Sequence, residues 1–247
     1  MTRGFVIMAQ DSATVSYTNC AKALEKSIKR VMPNANVTIV TTSMLPHGDK
    51  GGFANDWQVY DCSPYDETIK LEADMYIPNS LEYLWDTLAQ QDVVVCDTIR
   101  NFKGEVSDVR VYRRFIDDNQ LPNVYNAITY FKKSDTAKQF FEIVRNVFEN
   151  WEEYKAILKC NPQEEASTDW VYAIACHIIG KDKTTIPGLL SMIHMKQWVN
   201  GLPTEDWTDM LIYEYLHNQI RVNTYPQNYP FHYHVKKFSN IINESAI

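Results

Sequence analysis

A chain of 247 residues can build one large domain or two small ones, each with a sizeable core. Its 45% hydrophobic and 22% charged residues suit a globular protein, and a formal net charge of −7 excludes bulk non-specific affinity for nucleic acid while allowing a local basic groove. Five cysteines without CxxC spacing exclude a disulfide framework and a cysteine zinc site; no apolar run reaches membrane-spanning length and the N-terminus is a poor signal peptide, so a reducing cytoplasm is the expected compartment.

Residues 4–9 read as a buried strand, followed by polar Gln10, Asp11 and Ser12. Residues 15–31 carry Ala21, Leu24 and Ile28 on one helical face, and Pro33 and Asn34 end that helix. Residues 37–41 read as a second strand, which completes a βαβ unit and implies a parallel sheet. Residues 43–63 are loop-like, with Pro46, Gly48, Gly51 and Gly52; a loop of that length inside a domain is expected to be functional or mobile. A short helix is predicted over residues 65–71, a strand end at Glu72 and Asp74, a helix over 79–90 and a buried strand over 92–97. The stretch 99–122 is polar and basic and includes Arg110, Arg113 and Arg114. A strand over 123–131 follows, then a long amphipathic helix over 135–151, another turn or two over 154–160, and a helix opened by Thr168 and Asp169. Residues 225–247, with Pro226, Pro230 and clustered aromatics, read as irregular structure packed on the surface. The predicted architecture is one α/β domain over residues 1–224, with a mostly parallel central sheet flanked by helices, and a C-terminal tail over 225–247.

Glu72 and Asp74 carry the chemistry. At strand spacing, i and i+2 share a face, so the end of one strand offers two carboxylates on one side. Such a pair suits a hard divalent cation, Mg2+ or Mn2+, that also holds phosphates. Acid-x-acid triplets are common; the placement of this one strengthens it, because ligands in α/β sheets gather beyond the carboxyl ends of strands. His232, Tyr233 and His234 put two imidazoles on one side of an extended segment, read chiefly as tail packing, with metal binding as the alternative.

The strand at Phe5, the run Leu71-Glu72-Ala73-Asp74-Met75, the segment Asn126-Ala127-Ile128-Thr129-Tyr130-Phe131, the pair Thr168-Asp169 and the run His194-Met195-Lys196 occur in an order that resembles nucleotide-sugar glycosyltransferases of the GT-A fold, glycogenin-like ones in particular. The resemblance implies a UDP-sugar donor and a metal held by Glu72, Asp74 and His194. It implies Lys196 on the diphosphate, Asn126 against a sugar, and Asp169 facing the reacting sugar. It places Ala9, Gln10 and Asp11 at the base and ribose of the donor, with Tyr17 stacking on the base. Lys50 lies in a loop that would close over the donor and exclude water. Asp11 has an alternative role as a cap of the following helix. Two departures stand out: Glu72 replaces the usual Asp, and His194 and Lys196 are two residues apart where the family has a wider His-x-x-Gly-x-x-Lys spacing.

Residues 70–78, 92–96, 126–133 and 140–151 also look like small glycosyltransferases of tailed bacteriophages that modify 5-hydroxymethylcytosine in DNA. That narrower resemblance implies transfer of glucose or arabinose to double-stranded DNA, with Arg110, Arg113 and Arg114 along the phosphate backbone. The alternatives are the same chemistry on a protein, glycan or lipid acceptor, or a nucleotide-sugar-binding protein without catalysis.

Overall fold

Five strands make the central sheet, and the order in which they meet decides where the acidic residues emerge. The computed structural model describes residues 1–161 and 163–244. Its strands are β1 (Arg3–Met8), β2 (Asn36–Val40), β3 (Glu67–Glu72), β4 (Met75–Tyr76), β5 (Val93–Cys96), β6 (Thr98–Arg100), β7 (Tyr125–Lys132), β8 (Ser191–His194), β9 (Tyr213–Leu216), β10 (Gln219–Val222), β11 (Tyr225–Pro226) and β12 (Phe231–His232). The central order is β2-β1-β3-β7-β5. Strand β1 is parallel to both β2 and β3, whereas β7 is antiparallel to β3 and β5, so the sheet is mixed and not mostly parallel as expected; the parallel part is the strand-helix-strand start with β3, and the two pairings of β7 run the other way.

Phe5, Val6 and Ile7 of β1 are almost wholly buried, which is what a central strand covered on both faces requires. The helix Tyr17–Val31 packs on one face through Cys20, Ala21, Leu24 and Ile28. The Ser16 side chain accepts the Asn19 N–H at its start, and Lys29 and Arg30 meet the negative end of its dipole. The helices Asp135–Glu149 and Thr168–Ile179 cover the other face. A second sheet, β4-β12-β8-β6, lies beyond β3, and β9, β10 and β11 form a small antiparallel sheet. Among the described residues no helix is long and apolar enough to cross a membrane.

Three further expectations are corrected. Residues 65–71 are not a helix: β3 runs Glu67–Glu72, buried from Glu67 to Leu71. Its polar Thr68 and Lys70 alternate with Ile69 and Leu71, and both sets are covered, so the apolar half alone gave no clear strand period. The helix expected over 79–90 shrinks to a 3-10 turn, Glu82–Leu84, and one α-turn, Trp85–Leu88. Residues 225–244 are not irregular: they supply β11, β12 and the helix Phe238–Glu244. Phe231, Tyr233, Phe238 and Ile242 are at most 1% exposed, so this segment carries core. Residues 245–247 of the expected tail lie outside the described residues. The 43–63 stretch is partly ordered into helical turns, Thr42–Met44, Gly52–Gln58 and Val59–Cys62, with Asn55, Trp57 and Gln58 buried.

Gly4 shows how tightly β1 is covered. A Cβ there would stand 2.3 Å from the ring of Tyr65, whose hydroxyl lies 2.7 Å from that of Thr38. Gly4→Ala is expected to destabilise the fold by about 1–3 kcal/mol through this overlap. A urea titration would read it as a lower midpoint at unchanged slope.

Candidate functional site

Register brings the acids to the mouth of the sheet. Met8 pairs with Glu72, so the loops that follow β1 and β3 leave from the same edge. Glu72 is the last residue of β3, and Asp74 sits in the turn between β3 and β4. Their convergence therefore comes from a turn and not from a continuing strand face. The Asp74 carbonyl accepts the Tyr233 N–H at 3.1 Å, which fixes the turn against the end of β12.

That contact also delivers His232. Its Nε2 lies 3.1 Å from Glu72 Oε2 and 3.2 Å from Asp74 Oδ2, and Lys236 Nζ ion-pairs with Asp74. The side chains of Asp74 and His232 are only 6% and 5% exposed, and that of Glu72 is 24% exposed. Parallel pairing of β12 with β8 sets His232 beside His194, and His234 Nε2 reaches His194 Nδ1 at 3.2 Å. The potential ligands thus form two overlapping groups, Glu72–Asp74–His232 and His194–His232–His234, each with ligand atoms within 4.8 Å of one another. Glu72 and Asp74 are grouped with His232, and His194 falls with the other two histidines.

Burial pushes the Glu72 carboxyl up, against the opposing pull of His232 and Lys70. Burial alone would raise Asp74 as well, but the His232 imidazole and the Lys236 ammonium hold its carboxyl well below the usual range. For His232, burial disfavours the charged ring, yet Asp74 and Glu72 outweigh it and the pKa rises. His194 and His234 are pushed well below the ordinary imidazole range by burial and by the neighbouring His232.

These directions give a pH prediction. A cation entering between Glu72, Asp74 and His232 must displace protons from His232 and Glu72, both of which hold them to higher pH than usual. Mn2+ affinity is expected to be weak below the raised His232 range and to increase as pH rises through it, with proton release on binding. Calorimetric titrations in buffers of different ionisation enthalpy would measure that release; a pH-independent affinity would count against the seat.

Asp169 and Asn126 are linked directly. Asp169 lies in the first turn of the helix Thr168–Ile179, whose Ser167 side chain accepts the Trp170 N–H. Its Oδ1 accepts the Asn126 backbone N–H at 2.9 Å and its Oδ2 meets Arg113 at 2.7 Å. The Asn126 carbonyl accepts from Lys70 Nζ at 3.1 Å. Both backbone groups of Asn126 are thus held by charged side chains, while its Nδ2 is buried with no hydrogen-bond partner among the described residues.

The expected row of surface arginines is corrected here. Arg113 has a side chain only 2% exposed; it stacks on Tyr125 at 4.3 Å and donates to Asn123, Val124 and Asp169, so it cannot follow a phosphate backbone. Arg110 is paired with Asp117, and Arg114 is exposed. Along the β1 loop, Ala9 is buried, Gln10 Nε2 donates to the Val40 carbonyl at 2.9 Å, and Asp11 Oδ1 accepts the Thr18 N–H at 2.7 Å in the manner of a helix cap. Tyr17 is half-buried, with the Lys236 ammonium 5.6 Å from its ring centre. Lys50 is exposed beside Gly51 and Gly52, and Lys196 is half-buried just before the helix Gln197–Asn200. His232, Lys236 and Lys70 are the residues that sequence reasoning did not place at this site. The alternation His232-Tyr233-His234 followed by Lys236 was the available signal, and only the pairing of β12 gives it a location.

No protein-family model matches this chain, and no curated protein does. Among solved structures, the galactosyltransferase LgtC in complex with donor and acceptor sugar analogs is 14% identical at a TM-score of 0.42, over 65% of this chain and 68% of that one. The WbbM bifunctional glycosyltransferase is 14% identical at 0.48, over 81% of this chain, which spans only 41% of WbbM. Mouse xyloside xylosyltransferase 1 is 9% identical at 0.46, over 75% and 84% of the two chains. Likeness at this level is a shared outline.

Proposed function

We propose that this protein is a metal-dependent glycosyltransferase that moves a sugar from a UDP-sugar to a hydroxyl acceptor. The observation that carries the reading is the convergence of Glu72, Asp74 and His232 at the edge where the β1 and β3 loops leave the sheet. The donor set fits a divalent cation: two carboxylate oxygens and one imidazole nitrogen, with His232 Nε2 within 3.2 Å of both oxygens and the Lys236 ammonium on Asp74. Held there, Mn2+ or Mg2+ would take up negative charge on the departing diphosphate.

The chain's own residues account for the remaining requirements. Lys236, already on Asp74, offers a further positive charge to the same leaving group, a role the sequence resemblance gives to Lys196. Asp169, whose side chain is 26% exposed and paired with Arg113, is the carboxylate to set beside an oxocarbenium-like centre. Asn126 Nδ2, without a hydrogen-bond partner among the described residues, is the candidate donor to a sugar hydroxyl. Tyr17, next to Lys236, supplies a ring for the base. In the transfer the acceptor hydroxyl oxygen bonds to the sugar carbon, the bond from that carbon to the diphosphate breaks, UDP leaves with the electron pair, and a departing phosphate oxygen takes the hydroxyl proton.

For the acceptor, 5-hydroxymethylcytosine in DNA is the first candidate, on the resemblance of residues 70–78 and 126–133, with exposed Arg114 as the remaining basic contact. The test is hydrolysis of a panel of UDP-sugars by the purified protein with Mn2+, with and without hydroxymethylcytosine DNA. Turnover stimulated by that DNA supports both donor and acceptor. Metal-dependent hydrolysis indifferent to DNA keeps the transferase and moves the acceptor to a protein, glycan or lipid. No turnover of any donor would argue for a nucleotide-sugar-binding protein.

A further inference from the structure

Only one of three clustered imidazoles belongs to the carboxylate seat. His194 ends β8, His232 ends β12 in parallel register beside it, and His234 follows two residues later. The ring centres of His194 lie 5.4 Å from those of His232 and 4.6 Å from those of His234, and the latter two are 3.8 Å apart. One ligand nitrogen from each lies within 4.8 Å of the others. His194 and His232 are buried and His234 half-buried. Independently of this grouping, His232 Nδ1 is buried and has no hydrogen-bond partner among the described residues, an unusual cost for a polar atom in a core.

We propose that His194, His232 and His234 form a second cation seat, selective for a borderline transition-metal ion such as Zn2+, and that it competes with the Glu72–Asp74 seat for His232. Three imidazoles with one open position are a familiar donor set for Zn2+ and its neighbours, and a poor one for Mg2+, which demands oxygen. The competition follows from the ligand. A neutral imidazole carries a proton on one nitrogen and a lone pair on the other, so His232 can serve one ion at a time. An ion held by the three histidines leaves Glu72 and Asp74 without their third ligand. Zinc would therefore be an inhibitor acting through His232, without contact to donor or acceptor. The inference rests on reading Glu72–Asp74–His232 as a cation seat, and it does not depend on sugar transfer.

Metal occupancy of the full chain tests it. Free Mn2+ is followed by its paramagnetic resonance signal while Zn2+ is added, and Co2+ is followed by its visible absorption. Zn2+ outranks Mn2+ at nearly any nitrogen or oxygen site, so displacement by itself is uninformative and the variant decides. The expected result is that one Zn2+ releases one Mn2+, and that Co2+ gives the intense bands of a low-coordinate nitrogen site. In His234→Ala, Mn2+ binding should persist, Zn2+ should displace Mn2+ at more than about 10-fold higher concentration, and the Co2+ bands should fade. His234→Gln, which keeps a hydrogen-bonding group toward His194, should behave alike and guards against a folding defect. Zn2+ and Mn2+ bound together would overturn the competition. Zinc displacement unchanged in both variants would overturn the seat, placing zinc on Glu72 and Asp74. If the wild type binds no Mn2+ yet shows Co2+ bands that His234→Ala removes, the imidazole seat stands and the carboxylate seat falls.

Discussion

Asp74→Asn is expected to lower metal-dependent turnover of a UDP-sugar by at least about 100-fold, equivalent to roughly 2.7 kcal/mol of transition-state stabilisation. Asn has the shape of Asp but a neutral amide is a poor ligand for a hard cation. The main-chain anchor of the turn survives, because the Tyr233 N–H bonds to the backbone carbonyl of residue 74 and not to its side chain. The loss should therefore appear in Mn2+ binding and turnover, with circular dichroism close to wild type. Removing the charge also leaves His232 and Lys236 facing Glu72 alone, so the proton on His232 should be held less firmly. Activity that persists with ordinary metal dependence would take Asp74 out of the site.

Lys70→Met is expected to cost about 3–5 kcal/mol of folding stability, since it strands a buried charge. Lys70 is wholly buried; its Nζ lies 2.8 Å from Asp56 Oδ1, 3.1 Å from the Asn126 carbonyl and 5.4 Å from the ring centre of Tyr172. Tyr172 donates its hydroxyl to the other Asp56 oxygen. Met keeps the length and volume of the side chain but leaves Asp56 with Tyr172 as its remaining partner in this cluster. Adding Asp56→Leu should recover part of the loss, because removing both charges is less costly than removing one. Urea denaturation of the single and double variants measures both terms. A single-variant cost below about 1 kcal/mol would mean that the Lys70–Asp56 pair contributes no more than an exposed ion pair does.

Much of the framework was legible because it is local. The apolar runs at Phe5–Ile7 and Val93–Cys96, the face of Tyr17–Val31 and the start of Thr168–Ile179 are set by side chains within a few residues of one another. The acid pair Glu72 and Asp74 could be singled out from type and spacing. Strand β3 reads as a helix in the sequence for a non-local reason. Lys70 looks like a surface residue until Asp56 and Asn126, the latter 56 positions away, satisfy it inside the core. Arg113 misled in the same way, because its partner Asp169 is also 56 residues distant.

By itself, then, the sequence determined an α/β chain with a strand-helix-strand start, its main buried segments, and the pair of acids, Glu72 and Asp74, proposed to hold a cation. Only the tertiary structure decided which histidine joins them. His232 reaches Glu72 and Asp74 across more than 150 residues because β12 inserts between β4 and β8, and one pairing register sets His232 opposite both Met75 and His194. Hydrophobic periodicity reports which residues are buried, but strand order and register depend on contacts far apart in the chain, and those are what bring Glu72, Asp74, His232 and Lys236 together.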